Sequence, residues 1–342
     1  MIKTIIPFLT KWQVQLALLG IQLLFSLFGF YNYFFNYNLS RASLTQQFQD
    51  NELLLAKSGA KSIEVFMKNT INQLIIFESN DIFETFDDEK IRTLFRQFIN
   101  NAEVPLIDIA RYDKAGKLSI IENRKRIYVG EHEDFSDRDF IQWSKNPVNE
   151  NKFYITAPYI ARAGEAKGRT IMVIAIPSYF HHIHQGTITM RVGIDEFKKY
   201  FLDPLGGNNE DIFILDADRN VVLGKKTLLN QNLIEYAKKT KWVGWQDFVD
   251  KLNESVNQTT GIATWNVQYP SERTRETLAA YSKIDLPSTD RDLTLFVTTV
   301  KPNIYTSLTP FFSYGTIWLG GSIIMTFIIG AILTLLKSRF HG

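Results

Sequence analysis

Two apolar segments without a single charge frame this chain and limit what it can fold into. From Val14 to Phe35 the sequence runs through Leu, Ile, Phe and Tyr, diluted by Gln15, Gln22 and Asn32. From Pro302 to Leu336 there is again no charge, and Phe311 to Leu336 reads FFSYGTIWLGGSIIMTFIIGAILTLL. About 20 helical residues span a hydrocarbon core of ~30 Å. Both segments therefore predict membrane-spanning helices, with Tyr314 and Trp318 at an interface that favours aromatic rings. The first segment is too long for a signal-peptide core, and Asn36, Tyr37 and Asn38 follow it where a small-residue cleavage site would stand, so it predicts an uncleaved anchor. Lys3 and Lys11 precede it, and Lys337 and Arg339 follow the second segment. Arg41 and Lys301 are the nearest cations on the inner flanks. This bias predicts both termini in the cytoplasm of a two-pass inner-membrane protein, with the body outside. No output domain lies in the stub KSRFHG; any kinase or cyclase would lie beyond Gly342.

The body has the composition of a folded protein. Lys and Arg total 38 and Asp and Glu 36, a net charge of +2. That balance argues against a nucleic-acid partner, which needs a basic face. With no Cys among the 342 residues, a disulfide framework, a thiolate zinc site and a thiol nucleophile are excluded.

Between the segments the hydrophobic period changes. Leu44, Phe48, Leu55, Ile63, Phe66, Ile71 and Leu74 recur at helical spacing, which predicts a long amphipathic helix continuing from the first segment. A second helix is expected over Glu89–Asn100 behind Asp87 and Asp88. The period then becomes two. A strand over Leu106–Tyr112, the turn DKAG and a partner over Lys117–Ile121 form a hairpin. A short helix over Phe135–Asn146 with Ser136 as N-cap follows, then strands over Phe153–Ile160, Thr170–Pro177 and Thr187–Ile194, with Ala163–Gly168 as a flexible loop. A helix over Asp195–Leu202 closes this unit. The second unit repeats the order: a hairpin around DADRN (216–220), a mostly helical stretch over Asn230–Leu252, and strands over Gly261–Tyr269, Leu278–Lys283 and Leu293–Val300. The expected class is α+β, antiparallel sheets with helices packed mainly on one face.

This order, together with DKAG, SDRDF (136–140), APYI (157–160), IMVIAIP (171–177), GTITMRVGIDEF (186–197) and DIFILDADRNVVLG (211–224), resembles the double Cache family of bacterial extracytoplasmic sensors over about residues 37 to 310. The resemblance implies two PAS-like modules stacked on a long N-terminal helix that forms a homodimer, flanked by two transmembrane helices. It implies a tail (1–12), a first span (13–36), a stalk helix (37–85), a membrane-distal ligand-binding module (86–206), a membrane-proximal module (207–301), a second span with its lead-in (302–336) and a stub (337–342).

The resemblance also implies site residues. Arg138 matches an arginine that holds a ligand carboxylate, which a planar fork of donors suits; the alternative is a local pair with Asp137 or Asp139. Phe140 and Trp143 would form an aromatic wall or pack on the sheet. Tyr159 matches a tyrosine whose hydroxyl meets the ligand, while Tyr154, at odd spacing from it, is expected to point away. The amino-acid-binding branch has a Trp-Tyr pair after its arginine where this chain has Phe140 and Ile141. It has an aspartate where this chain has Ala161, and another on the closing strand at Arg191. Were Arg191 to face inward, two guanidiniums would converge on an anion without an amine, a di- or tricarboxylate; a register one residue off would turn it away. An organic acid is therefore favoured over an amino acid.

Other polar clusters carry less. His181, His182 and His184 lack a nearby acid or Cys in sequence and read as an exposed hairpin loop; His132 between Glu131 and Glu133 reads as surface. DADRN lacks the length and distal Glu of a calcium loop and reads as a turn. No catalytic motif, cofactor fingerprint or metal set appears, so enzymatic activity has no support in the sequence. A sensor input for a histidine kinase, chemoreceptor or cyclic-dinucleotide enzyme is the leading function, and a membrane-anchored adaptor without a ligand is the alternative.

Overall fold

The computed structural model describes residues 12–79, 87–102, 105–205, 210–267, 275–286, 292–300, 304 and 309–341. The chain divides into two compact units, residues 49–301 and the two ends, 1–48 with 302–342.

The end unit holds the first part of helix α1 (Trp12–Glu78) and the last helix, α7 (Thr309–His341). Their large apolar side chains face outward: Phe28 is 67% and Phe327 76% exposed. Among the described residues no helix is long and apolar enough to cross a membrane. The spans expected at 13–36 and 302–336 are thus not recovered there. Several positions of the second, and the flanking Lys3, Lys11 and Lys301, lie outside the described residues.

The larger unit contains two antiparallel sheets. In the first half, α2 (Asp88–Asn101) begins at Asp87, whose side chain accepts from Lys90 N at 3.2 Å. The guanidinium of Arg124 closes its other end, donating to Ile99 O (3.2 Å) and Ala102 O, where a cation complements the helix dipole. Strands β1 (Leu106–Asp113), β2 (Leu118–Asn123), β3 (Tyr154–Ile155), β4 (Tyr159–Ile160), β5 (Thr170–Phe180) and β6 (Ile183–Gly193) form a sheet ordered β2-β1-β6-β5-β3, with β4 also on β5. Asp113 makes the DKAG turn, accepting from the backbone of Ala115, Gly116 and Lys117 at 2.8–2.9 Å. In the second half, β7 (Glu210–Asp216), β8 (Val221–Leu223), β9 (Thr260–Val267), β10 (Arg275–Ile284) and β11 (Leu293–Val300) form the order β8-β7-β11-β10-β9. Asp216 closes DADRN by accepting from Asn220 N at 2.8 Å, so the turn reading holds.

One core joins α1, α2 and one face of the first sheet to Ile214, Val222, Ile284 and Leu295 of the second. A second core covers the opposite face of the first sheet, and a third lies under the helices Leu233–Lys239 (α5) and Trp245–Asn257 (α6).

Several local expectations shift. The short helix α3 spans only Asp139–Ser144, with Arg138 rather than Ser136 at its N-cap, because Asp134 binds Ser136 N at 2.8 Å in a preceding turn. The strand expected over Phe153–Ile160 is broken into β3 and β4, separated by Pro158, which has no N–H for a ladder. The closing helix α4 (Ile194–Phe197) runs into a π-helical turn, Lys198–Leu202. Ala163–Gly168 is no flexible loop: Ala161, Ala163 and Ala166 are buried, and backbone bonds join Gly168 N to Ala161 O and Ala161 N to Arg169 O, both 2.9 Å.

Candidate functional site

The antiparallel register decides which side chains of the first sheet share a face. Asp108 pairs with Arg191, Ala110 with Thr189 and Tyr112 with Thr187; Val173 pairs with Arg191 and Ala175 with Thr189. The centre of this face is therefore small, Ala110, Thr189 and Ala175 side by side. Tyr112 stands on one side and the Asp108–Arg191 pair on the other. The helix α3, β4 and the loop 161–169 build above it.

Arg191 does face inward and is 1% exposed. Its fork is already engaged: Nε and Nη2 reach both oxygens of Asp108, the latter at 2.7 Å, and Nη1 reaches Ala163 O at 3.1 Å. Burial by itself would lower the guanidinium, but Asp108 outweighs it and holds Arg191 above its ordinary value. Burial likewise raises the Asp108 carboxyl, against the pull of Arg191. The two-arginine expectation needs a free second fork, and in this arrangement Arg191 neutralises Asp108 instead.

Arg138 makes no ion pair with Asp137 or Asp139. Asp137 takes Arg162 at 2.6 Å, and Asp139 accepts from Phe140 N (2.8 Å) and the Tyr154 hydroxyl (3.1 Å). The Arg138 guanidinium lies over the Tyr159 ring, 4.4 Å from its centroid, a cation–π contact. Burial, then the neighbouring Tyr112, raises the Tyr159 phenol above its ordinary 10.0, so it stays protonated. Phe140 is fully buried and meets Tyr112 edge-on at 5.4 Å. Trp143 is half-buried and tilted against Tyr154 at 5.3 Å.

Tyr154 therefore belongs to the site side, contrary to the spacing argument. Its strand partner is Ala175 and that of Tyr159 is Ile171, four residues apart on β5 and so on one face. The break at Pro158 resets the alternation, and no signal short of the pairing itself would have found this.

Among the described residues, six buried side-chain polar atoms of this half make no hydrogen bond: Arg96 Nε, Arg138 Nε, Trp143 Nε1, Arg162 Nε, Thr189 Oγ1 and Glu196 Oε2. The leftover buried carboxylate oxygen of the module, Glu196 Oε2, belongs to a side chain already paired with Arg169.

The histidines fall elsewhere. His181 and His182 occupy the β5–β6 turn with positive φ, and His182 meets Glu150 at 3.0 Å. His184 is half-buried against the Tyr179 ring, 5.4 Å away, with Ser144 Oγ at 3.4 Å. Glu131 is not a free surface group, since it binds Arg92 at 3.0 Å. Among the described residues no group of three or more His, Asp or Glu is placed to hold a metal ion. A groove of about 670 Å³ on the other face of the sheet is lined by Val65, Phe66, Phe98, Leu106, Tyr200 and Phe201 among others, with Lys61 its one charge.

No protein-family model matches the sequence, and no curated protein does. Solved structures do match the fold. The ligand-binding domain of the Pseudomonas aeruginosa PAO1 amino-acid chemoreceptor PctB, in complex with L-Arg, aligns over 76% of this chain and 98% of its own, at 11% identity and TM-score 0.57. The domain of Pseudomonas fluorescens CtaA in complex with L-isoleucine aligns over 80% and 99%, at 14% identity and TM-score 0.55. The periplasmic sensory domain of the Campylobacter jejuni chemoreceptor Tlp1 aligns over 77% and 98%, at 18% identity and TM-score 0.58. The fold of this chain is that of chemoreceptor ligand-binding domains of the double Cache type.

Proposed function

We propose that this chain is the extracytoplasmic sensing region of a bacterial transmembrane signal transducer and that it binds a small organic acid in the module formed by residues 86–206. The observation that carries the reading is Arg138: a guanidinium with no carboxylate partner, laid over Tyr159 beside an aromatic wall, in a domain with a chemoreceptor sensor fold. A free arginine fork suits a carboxylate. Asp108 is neutralised by Arg191 and Asp137 by Arg162, while Asp139 is bonded only by the neutral Phe140 N and Tyr154 hydroxyl and keeps its charge. The preference for an acid over an amino acid rests on Ala161 and Arg191, which stand where the resemblance expects aspartates, although the PctB and CtaA domains were solved with amino acids bound.

On this reading the charge-free segments are spans at 13–36 and 302–336, with both termini in the cytoplasm and the modules 86–206 and 207–301 in the periplasm. Leu23 (59%), Phe28 (67%), Ile317 (69%) and Phe327 (76%) are exposed as lipid-facing side chains would be. A homodimer through the stalk helix is supported by Leu54, Val65 and Ile76, all exposed and eleven residues apart, which is three turns of one helix face. Ligand binding need supply only ~1–3 kcal/mol of differential affinity between two states of that dimer to signal through the second span.

The test is a thermal-shift screen of the full chain in detergent against organic acids, amino acids, amines and purines, paired with protease shaving of intact cells. An acid that raises the melting temperature, and a body cleaved from outside, support the reading. A silent screen or a body protected from protease overturns it and favours an adaptor.

A further inference from the structure

A backbone carbonyl beside the candidate site is held from the second module. We propose that Asn230 is a positioning residue for the site in the first: its amide fixes the carbonyl of Pro158, and with it the two-residue strand that carries Tyr159. The inference deepens the sensing reading and rests on it for what the site does.

Three observations lead there. First, β4 is thinly tied into its own sheet, pairing with β5 at Tyr159 and Ile160 alone. It begins after Pro158, which is buried and has no N–H for the ladder. A buried carbonyl needs a donor. That of Pro158 accepts from Asn230 Nδ2 at 2.5 Å, 72 residues further along the chain. Second, Asn230 is itself firmly set. Its φ of +60° lies in the left-handed region, which Asn adopts more readily than most residues. Its N–H reaches Val221 O at 2.8 Å, Val221 N reaches Gln231 O at 3.0 Å, and the Asn232 side chain caps α5 by accepting from Ile234 N at 3.0 Å. The amide is therefore anchored to β8 on one side and to α5 on the other. Third, what it holds is next to the site. Tyr159 follows Pro158 directly, and the Arg138 guanidinium lies over its ring at 4.4 Å, so a shift of Pro158 moves the surface on which Arg138 rests. On the far side Val221 pairs with Leu215, and Leu215 with Thr294 of β11, whose end at Val300 leads toward the second charge-free segment. Coupling of this kind is reciprocal: a change in the second module that alters affinity at the site is itself driven by binding there, by the same factor.

The chain has no Cys, so one introduced thiol carries one label. A nitroxide on Ile160→Cys, a β4 position 57% exposed, reports the mobility of that strand in the full chain in detergent, and one on Val148→Cys, 70% exposed, is the control. Asn230→Gly keeps the left-handed backbone and removes the amide. Asn230→Asp keeps the shape and puts an acceptor where the donor was. Both should mobilise the label at 160 and leave the label at 148 unchanged, whereas a side chain that only filled space would be replaced without effect by Asp. The ligand-free melting temperature should fall by no more than about 2–4 °C, the scale of one hydrogen bond in a domain of this size. Propanoate, succinate, citrate and leucine are titrated alongside. Any that binds the wild type should bind Asn230→Gly about fivefold more weakly. Should Asn230→Asp not fold, the Gly variant decides. A label at 160 that stays as in the wild type, an Asp variant that behaves as wild type, or an unchanged affinity overturns the inference and leaves the sensor reading standing. Silence of the wild type toward all four compounds counts against the sensor reading, and the label alone then decides the inference.

Discussion

Asp108 and Arg191 face each other across the β1–β6 pairing and form a two-point ion pair under the loop 161–169, with Arg191 Nη2 2.7 Å from Asp108 Oδ2. Neither side chain is more than 1% exposed. The third donor of the guanidinium ties the loop down through Ala163 O, and Gly164 N ties it again to Val129 O at 2.6 Å. A single buried pair thus closes one end of the candidate site and removes one positive charge from it.

Breaking that pair should be severe. Asp108→Asn leaves Arg191 buried without its counter-charge and is expected to lower stability by ~3–5 kcal/mol. Replacing both partners by apolar residues of similar volume, Asp108→Leu with Arg191→Met, should cost less than the single change. Urea unfolding of the three proteins checks this; a double variant as damaged as the single one would mean that packing, not charge, dominates.

Arg138→Ala should erase any ligand-induced rise in melting temperature and leave the ligand-free protein folded. The residue is half-buried and makes no capping bond at the start of α3, so its fold contribution is small. Arg138→Lys keeps the charge, loses the planar fork and should recover only part of the response. An unchanged thermal shift in the alanine variant would remove the residue from the site.

Gly164→Ala tests the loop closure. At φ +67° an L side chain is strained, and a Cβ there would meet Ile121 Cδ1, Arg191 Nη2 and Asp108 Oδ2. The left-handed conformation alone costs about 1–2 kcal/mol, and the contacts add to it. A melting temperature equal to wild type would show that the loop can rearrange freely.

Glu78 should make stability fall as pH rises. Burial, reinforced by Glu150 and opposed by the hydrogen bond from Tyr179 N, holds its carboxyl above the ordinary 4.5. A carboxyl with a raised folded-state value binds more protons folded than unfolded. Stability is therefore lost as pH climbs from about 4.5 through the raised value. Glu78→Gln removes that slope, so wild type minus variant should become less favourable across this window. A difference that is flat with pH contradicts the assignment.

Much of the fold was legible in the sequence. The DKAG and DADRN turns, the very apolar β5 and the long amphipathic helix are local patterns, set by side-chain alternation and by Asp113 and Asp216 binding the backbone a few residues on. Arg138 and Tyr159 were read from motif order, and the structure brings them together. Tyr154 was misjudged because alternation was carried across Pro158, where the strand breaks. The loop after Ala161 was misjudged because its alanines and glycines signal flexibility in sequence, yet small side chains are what let it pack over Arg191.

The sequence by itself determined the charge-free ends, the change from helical to alternating period and the order of two similar sheets, since each depends on neighbours within a few turns. Only the tertiary structure decided which charges cancel. Asp108 and Arg191 are 83 residues apart, and whether an arginine greets a ligand or a buried carboxylate depends on strand register, which no local pattern contains.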